Sequence, residues 1–265
     1  LNLKYEKLKA PLYAERANII AGESYKPEYL EKFDQKHEKL KKELTNKEQE
    51  KDDWTAEKVD TEDVEGKPGV PGFWLRVLKN HHLVRDYVKK HDEPILKHLV
   101  NISGVHFPDR YGYELTFSFT PNEFMENTEL KKTYHMVSEN VLEKAESSEI
   151  VWKTDKNPTK KKVKKKQKHK KTGAIRTITK IEDQESFFGF FKSMTMPDTS
   201  KLDNMQDGEQ EELAVKIDED FDFGNDILNE IIPEALELYL GVVENDYSDL
   251  DSGSDEEGED EDEGD

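Results

Sequence analysis

The sequence predicts an α+β protein: an N-terminal helix, an antiparallel sheet of about four strands covered by helices, a protruding β-hairpin and a disordered acidic C-terminal tail. Three observations predict it. Apolar residues recur at steps of three and four in residues 1–22 and again from Phe73 to Leu99, the period of an amphipathic helix. At YGYELTFSFT, residues 111–120, the period drops to two, the mark of a strand with one buried face. Charge is segregated as well. The last 49 residues, after Lys216, hold 21 carboxylates and no Lys or Arg, which leaves 40 basic against 39 acidic groups before them. A nearly neutral body therefore carries an acidic segment, a pattern of interaction rather than of uniform solubility.

Taken in order, Leu1, Tyr5, Leu8, Leu12 and Ile19 form one apolar seam on a helix that Gly22 ends and Pro11 is expected to kink. Pattern alone leaves that seam two readings, half of an intermolecular coiled coil or a lid on the domain. Residues 27–51 read as a charged amphipathic helix with Leu30, Phe33, His37, Leu40 and Leu44 on one side, and 52–69 as a linker. Two or three short helices follow from Phe73 to Leu99. LKKTYHMV, EIVWK and AIRTITKI continue the strand style of 111–120. Nine of the twelve residues 160–171 are lysine; Thr172-Gly173 can turn the chain, so 160–181 reads as a hairpin whose charge also guards its edge. Phe187, Phe188, Phe190 and Phe191 are expected as a core plug rather than a base-stacking platform. A last helical segment starts at Phe223 and is bent by Pro233. From 245 the composition cannot bury enough surface to offset chain entropy, and disorder is expected.

Composition also excludes. Without cysteine there are no disulfides and no thiolate ligands or nucleophiles, which fits a reducing compartment. No apolar run is long enough to span a bilayer and no secretory leader precedes Leu1, so the chain reads as soluble and intracellular, with no membrane partner. A start at Leu1 rather than Met reads as a piece of something longer. Phosphate-binding, dinucleotide, nucleophile-elbow and zincin motifs are absent from the sequence, and His81, His82 and His98 are expected as surface or boundary residues rather than metal ligands. Neither enzyme activity nor a cofactor is expected.

KPGVPGFWLRVLKN, HDEPILKHL, FSFTPNEFMENTELKKTYHM, KKKQKHKKTGAIRTITK, ESFFGFF and NEIIPEALELYLG, in that order and followed by an acidic tail, closely resemble the nucleosome assembly protein family of histone chaperones. The resemblance implies a homodimer joined by a long antiparallel helix, with an α+β domain holding core histones on an acidic underside. On this reading residues 1–23 are the end of the dimerisation helix, with Leu1, Tyr5, Leu8 and Leu12 on its seam. Residues 24–69 are an accessory insertion and linker, 70–244 the histone-binding domain, and 245–265 the tail. The lysine hairpin, with Lys164, Lys165, Lys166, Lys168, Lys170 and Lys171, is implied as a nuclear localisation signal read by an import receptor, giving a protein that shuttles between nucleus and cytoplasm.

The physical chemistry agrees with that class of partner. Capturing histones means competing with phosphate for lysine and arginine, and a carboxylate surface does so while releasing its cargo. The carboxylates expected to act are Asp92 and Glu93, then Asp207, Glu209, Glu211 and Glu212, then Asp218, Glu219, Asp220 and Asp222, with Asp255, Glu256 and Glu257 in the tail. Ser248, Ser252 and Ser254 each have an acid three residues on and are candidates for phosphorylation. Two other readings stay open: a nucleic-acid-binding module acting through the lysine hairpin, and a regulator of transcription or of a phosphatase like the acidic SET-like branch. No direct DNA specificity is expected.

Overall fold

The computed structural model describes residues 2–23, 69–138, 141–168, 175–195 and 207–242. Helix α1, Asn2–Ala21, runs unbroken through Pro11 and ends where Gly22 turns to φ 78°. Tyr13 and Ile20 pack inward while Tyr5, Leu8 and Leu12 face solvent. The segments 27–51 and 52–68, and the tail, lie outside the described residues.

Five strands form one antiparallel sheet in the order β1-β2-β3-β4-β7: β1 Leu99–His106, β2 Gly112–Phe119, β3 Glu129–Ser138, β4 Val141–Ser147 and β7 Met194–Thr195. On β2 the expected alternation holds, with Tyr113, Leu115, Phe117 and Phe119 buried. Leu99, which the helical spacing assigns to a helix, instead opens β1. A bulge between Leu99 and Asn101 puts Leu99 and Ile102 on the buried side, so an i, i+3 pair in a strand imitates a helix. EIVWK is not a strand of the sheet; Trp152 makes one isolated bridge to Met125. Strands β5, Lys160–Lys168, and β6, Ile175–Asp183, pair in continuous register as a separate two-stranded sheet.

One face of the five-stranded sheet is covered. Ser186 caps a 3-10 turn, Phe187–Phe191, by accepting from Phe188 N. Its four phenylalanines form the expected plug: Phe117 lies edge-on to Phe191, and Phe190 meets Phe223 at 4.7 Å. Helix α2, Phe73–Asn80, buries Phe73, Trp74, Leu75, Val77 and Leu78. Trp74 Nε1 donates to Val100 O at 3.0 Å, which shields the β1 edge. A short helix, α3, Glu93–Leu96, leads into β1.

The largest difference from expectation is α4, Asp207–Asp226. Its inward side carries Ile217, Phe223 and Gly224 with half-buried Asp220 and Phe221, so a carboxylate and a glycine interrupt the apolar positions and the helical period is masked. After α4 the chain makes a π-helical turn, Ile227–Ile231, closed by Ile232 N donating to Ile227 O. Pro233 follows, and helix α5, Ala235–Leu240, ends at Gly241 with φ 70°.

Candidate functional site

Helix α4 presents the acidic surface, and its inner side explains how so charged a helix docks. Lys132 on β3 is fully buried; its Nζ donates to Asp220 and to the Phe190 carbonyl and sits 4.0 Å from the Phe190 ring centroid. Tyr134 OH donates to Asp220 O at 2.9 Å. Burial pushes the Asp220 pKa up and that of Lys132 down, while their mutual attraction opposes both shifts. Gly224 lets α4 come close, since a Cβ there would lie 2.5 Å from the Tyr134 ring.

The outer side carries Glu211, Glu212, Asp218, Glu219 and Asp222, all exposed, with Val215 among them. Lys216 pairs with Glu212 at 2.6 Å and, with its hydrogen bond, lowers that carboxyl's pKa. Glu209 is exposed on the first turn; Asp207 begins the helix. Sequence reasoning missed the continuation of the stripe: Asp226 and Glu230, with Asp86 from the facing turn. The Asp226 pKa is raised by partial burial and then by Glu230. Tyr87, 43% exposed, stacks edge-on against Phe223 among Glu219, Asp226, Asp220 and Asp86. Its phenol pKa is raised first by burial and then by those carboxylates. The i, i+4 steps from Asp218 through Asp222 and Asp226 to Glu230 were a signal that could have extended the site.

Other expected acidic residues are placed elsewhere. Asp92 is wholly buried: it accepts from Ser186 Oγ at 2.6 Å, Phe187 N at 2.8 Å and Lys89 N at 3.0 Å, so it ties the phenylalanine turn to the chain before α3. Asp220 is likewise an interior group. Glu93 pairs with Lys79 at 3.1 Å. Asp255, Glu256, Glu257, Ser248, Ser252, Ser254, Leu1, Lys170 and Lys171 lie outside the described residues.

His81 is buried rather than superficial, and with His82 and Glu230 it brings three ligand-type atoms within 4.8 Å of one another. Val84 N donates to His81 Nδ1 at 3.3 Å. That assigns the proton to Nε2, which donates to Glu230 at 3.1 Å. A metal needs a lone pair there, so the group acts as a hydrogen-bonded brace between α2 and the π turn.

Tyr5, Leu8 and Leu12 are 55%, 62% and 64% exposed, an apolar row with no cover among the described residues. Opposite them, Arg16 lies over Trp74 and Tyr13 and its Nη1 donates to Ile232 O at 2.7 Å, fastening α1 to the domain. Lys164, Lys165 and Lys166 are exposed on β5; Lys168 closes that strand.

A family profile described as Nucleosome assembly protein (NAP) matches residues 1–242. The chain belongs to the nucleosome assembly protein family. It is 35% identical over 258 residues to Nucleosome assembly protein 1;1 of Oryza sativa subsp. japonica, an alignment covering 94% of this chain and 61% of the rice protein. It is 37% identical over 267 residues to Nucleosome assembly protein 1-like 1-A of Xenopus laevis, covering 95% and 64%. The chain thus spans less than two thirds of these relatives. Among solved structures, Nucleosome Assembly Protein 1 from Plasmodium knowlesi matches at a TM-score of 0.58 and 26% identity, over 91% of this chain and 83% of that one. The mostly antiparallel sheet with its covering helices therefore matches the nucleosome assembly protein fold. None of the described helices is long and apolar enough to cross a membrane.

Proposed function

We propose that this protein is a histone chaperone that binds core histones and suppresses nonspecific histone–DNA aggregates, so that nucleosomes assemble and disassemble through equilibrium exchange without ATP. The observation that carries it is the outward stripe of α4, Glu211, Glu212, Asp218, Glu219 and Asp222, on a chain whose relatives are named for nucleosome assembly. Such a stripe steers cationic proteins at long range and releases them with modest salt. Asp226 and Glu230 extend it, and the tail with Asp255, Glu256 and Glu257 adds a diffuse, screened contribution.

The proposal extends to the remaining assignments, which family resemblance supports. Residues 1–23 serve as part of a dimerisation helix, their open row Tyr5, Leu8 and Leu12 facing a second copy. Residues 24–69 are an accessory insertion, 70–244 the histone-binding unit and 245–265 the tail. The lysine ribbon is a nuclear address for an import receptor, and the protein shuttles between nucleus and cytoplasm. Phosphorylation at Ser248, Ser252 or Ser254 deepens the acidic field.

The test is a competition at near-physiological salt between the protein and DNA for core histones. Soluble histone complexes and nucleosome formation, weakened but not abolished by loss of residues 243–265, support the reading. Histones that stay aggregated on the DNA overturn it.

A further inference from the structure

Strands β5 and β6 carry a second charged surface, opposite in sign to α4. From Lys160 to Asp183 there are eleven basic side chains and two acidic ones, a net of +9 in a chain of net −20. The pairing register settles how those charges are divided. Residues directly opposite in an antiparallel ladder point to the same face, so one face holds Lys160 with Asp183, Lys162 with Ile181, Lys164 with Thr179 and Lys166 with Thr177. The other holds Lys161 with Glu182, Val163 with Lys180, Lys165 with Ile178 and Gln167 with Arg176. The two faces are not equivalent. On the second, Glu182 lies 2.6 Å from Lys165 and 3.8 Å from Lys180, so a single carboxylate is shared between two of its lysines. On the first, Asp183 meets only Lys160 at the base, and Lys162 meets Asp155 at 2.7 Å. Both are exposed pairs, weak and screened. Lys164 and Lys166 make no ion pair among the described residues, and Thr177 and Thr179 set hydroxyls beside them.

We propose that this first face, Lys160, Lys162, Lys164 and Lys166, binds the phosphodiester backbone of duplex DNA without reading its sequence. Alternate residues on a strand stand about 6.8 Å apart, so the four ammonium groups span about 20 Å. Duplex DNA carries one negative charge per about 1.7 Å of axis, so each lysine over that length meets a phosphate. A two-stranded ribbon also has the width that the major groove admits. The ladder fixes the row: Lys160 to Lys168 are each paired with a β6 residue, so the lysines are held on a frame rather than strung on a loose chain. The ribbon hydrogen-bonds to no strand of the main sheet and is held at its base by Gln184 N and Nε2, which donate to Thr159 O and Pro158 O. Its nine-residue strands reach about 30 Å from base to tip. This surface stands apart from the histone-binding reading and does not depend on it.

The experiment is fluorescence anisotropy of a labelled random-sequence duplex titrated with the full chain over a salt series. The expected result is micromolar binding at about 50 mM salt, with log K falling against log salt at a slope of about −3 to −4. The triple variant Lys162→Gln, Lys164→Gln, Lys166→Gln should lower the magnitude of that slope by about 2.7 and weaken binding at least tenfold at low salt. Lys161→Gln, Lys165→Gln, Lys180→Gln removes the same charge from the opposite face and should leave the slope within one of the parent. Equal losses in both triples would mean a diffuse field and overturn the proposal. So would no duplex binding, or tighter binding of a single strand of the same phosphate content. All six side chains are exposed, and unchanged thermal unfolding by circular dichroism confirms that either triple is folded.

Discussion

Lys132 and Asp220 form an ion pair in which the lysine is wholly buried and the carboxylate nearly so, joining the third strand of the sheet to the middle of the acidic helix α4. Desolvating two charges costs several kcal/mol each, and the pair recovers this only through the additional partners Phe190 O, the Phe190 ring and Tyr134 OH. The consequence is positional. A helix with nine carboxylates is held against a hydrophobic sheet by Ile217, Phe223 and an internal charge contact, leaving Glu209, Glu211, Glu212, Asp218, Glu219 and Asp222 outward.

Asp220→Ala should destabilise the fold by about 3–5 kcal/mol because it strands Lys132 as an unpaired buried cation. Lys132→Leu combined with Asp220→Ala should recover much of that loss, because no buried cation is left unpaired. Urea unfolding of the two single variants and the double variant gives the coupling directly; strictly additive losses would show that the pair contributes nothing as a pair.

Two stacked tyrosines beside it should respond oppositely. Tyr134 OH donates to Asp220 O, whereas the buried Tyr113 OH has no hydrogen-bond partner. Tyr113→Phe should be neutral or stabilise by about 1 kcal/mol, and Tyr134→Phe should cost about 1 kcal/mol. Their rings lie 4.7 Å apart, and both phenol pKa values are raised by burial and then by Asp220. A raised folded pKa means stability that is complete below the unfolded value of about 10 and lost as pH climbs above it. Alkaline titration followed at the tyrosinate band should show these two phenols ionising only with global unfolding, and replacing both by Phe should extend the stable range upward.

Gly224→Ala tests how tightly α4 sits. In an exposed helix that change is favourable by about 1 kcal/mol. Here the added methyl meets the Tyr134 ring at 2.5 Å, and Tyr134 is wholly buried and cannot retreat. A net loss of about 1–3 kcal/mol is expected by thermal or urea unfolding; a gain would mean that the helix rides away from the sheet at no cost.

These contacts also mark where sequence and structure part. The alternation at Tyr113, Leu115, Phe117 and Phe119 and the density of Phe187 to Phe191 are direct physical signals, and both were legible. Strand β4 was not, because Ala145 is its one buried residue and gives no visible alternation. Helix α4 was hidden because its inward positions include Asp220 and Gly224, whose fit depends on Lys132 and Tyr134, about ninety residues away in the chain. For the same reason Asp92 and Asp220 read as surface acids in a one-dimensional charge count. Only tertiary partners reveal a carboxylate that is spent inside, just as only the helix period reveals that Asp226 and Glu230 continue the outer stripe.

The outer stripe can be tested apart from stability. Glu211→Gln, Asp218→Asn, Glu219→Gln and Asp222→Asn change exposed groups, and the unfolding midpoint should stay close to that of the parent. If the histone-chaperone reading is right, association with core histones should slow about tenfold at low salt, with a flatter ionic-strength dependence measured by stopped-flow. An unchanged rate would move the binding surface away from α4.

The open row on α1 predicts an oligomer. Tyr5, Leu8 and Leu12 expose apolar surface in heptad-like steps, while Tyr13, Arg16 and Ile20 already commit the other side of the helix to the domain. Burying such a row against its copy is the economical way to remove it from water. Light scattering behind a sizing column should report a dimer for this chain, and Leu8→Glu with Leu12→Glu should convert it to a monomer without lowering the unfolding midpoint of the domain at low concentration. A parent that is monomeric at about 100 µM would assign the row to some other cover, because an apolar pair interface of this kind should be populated at that concentration.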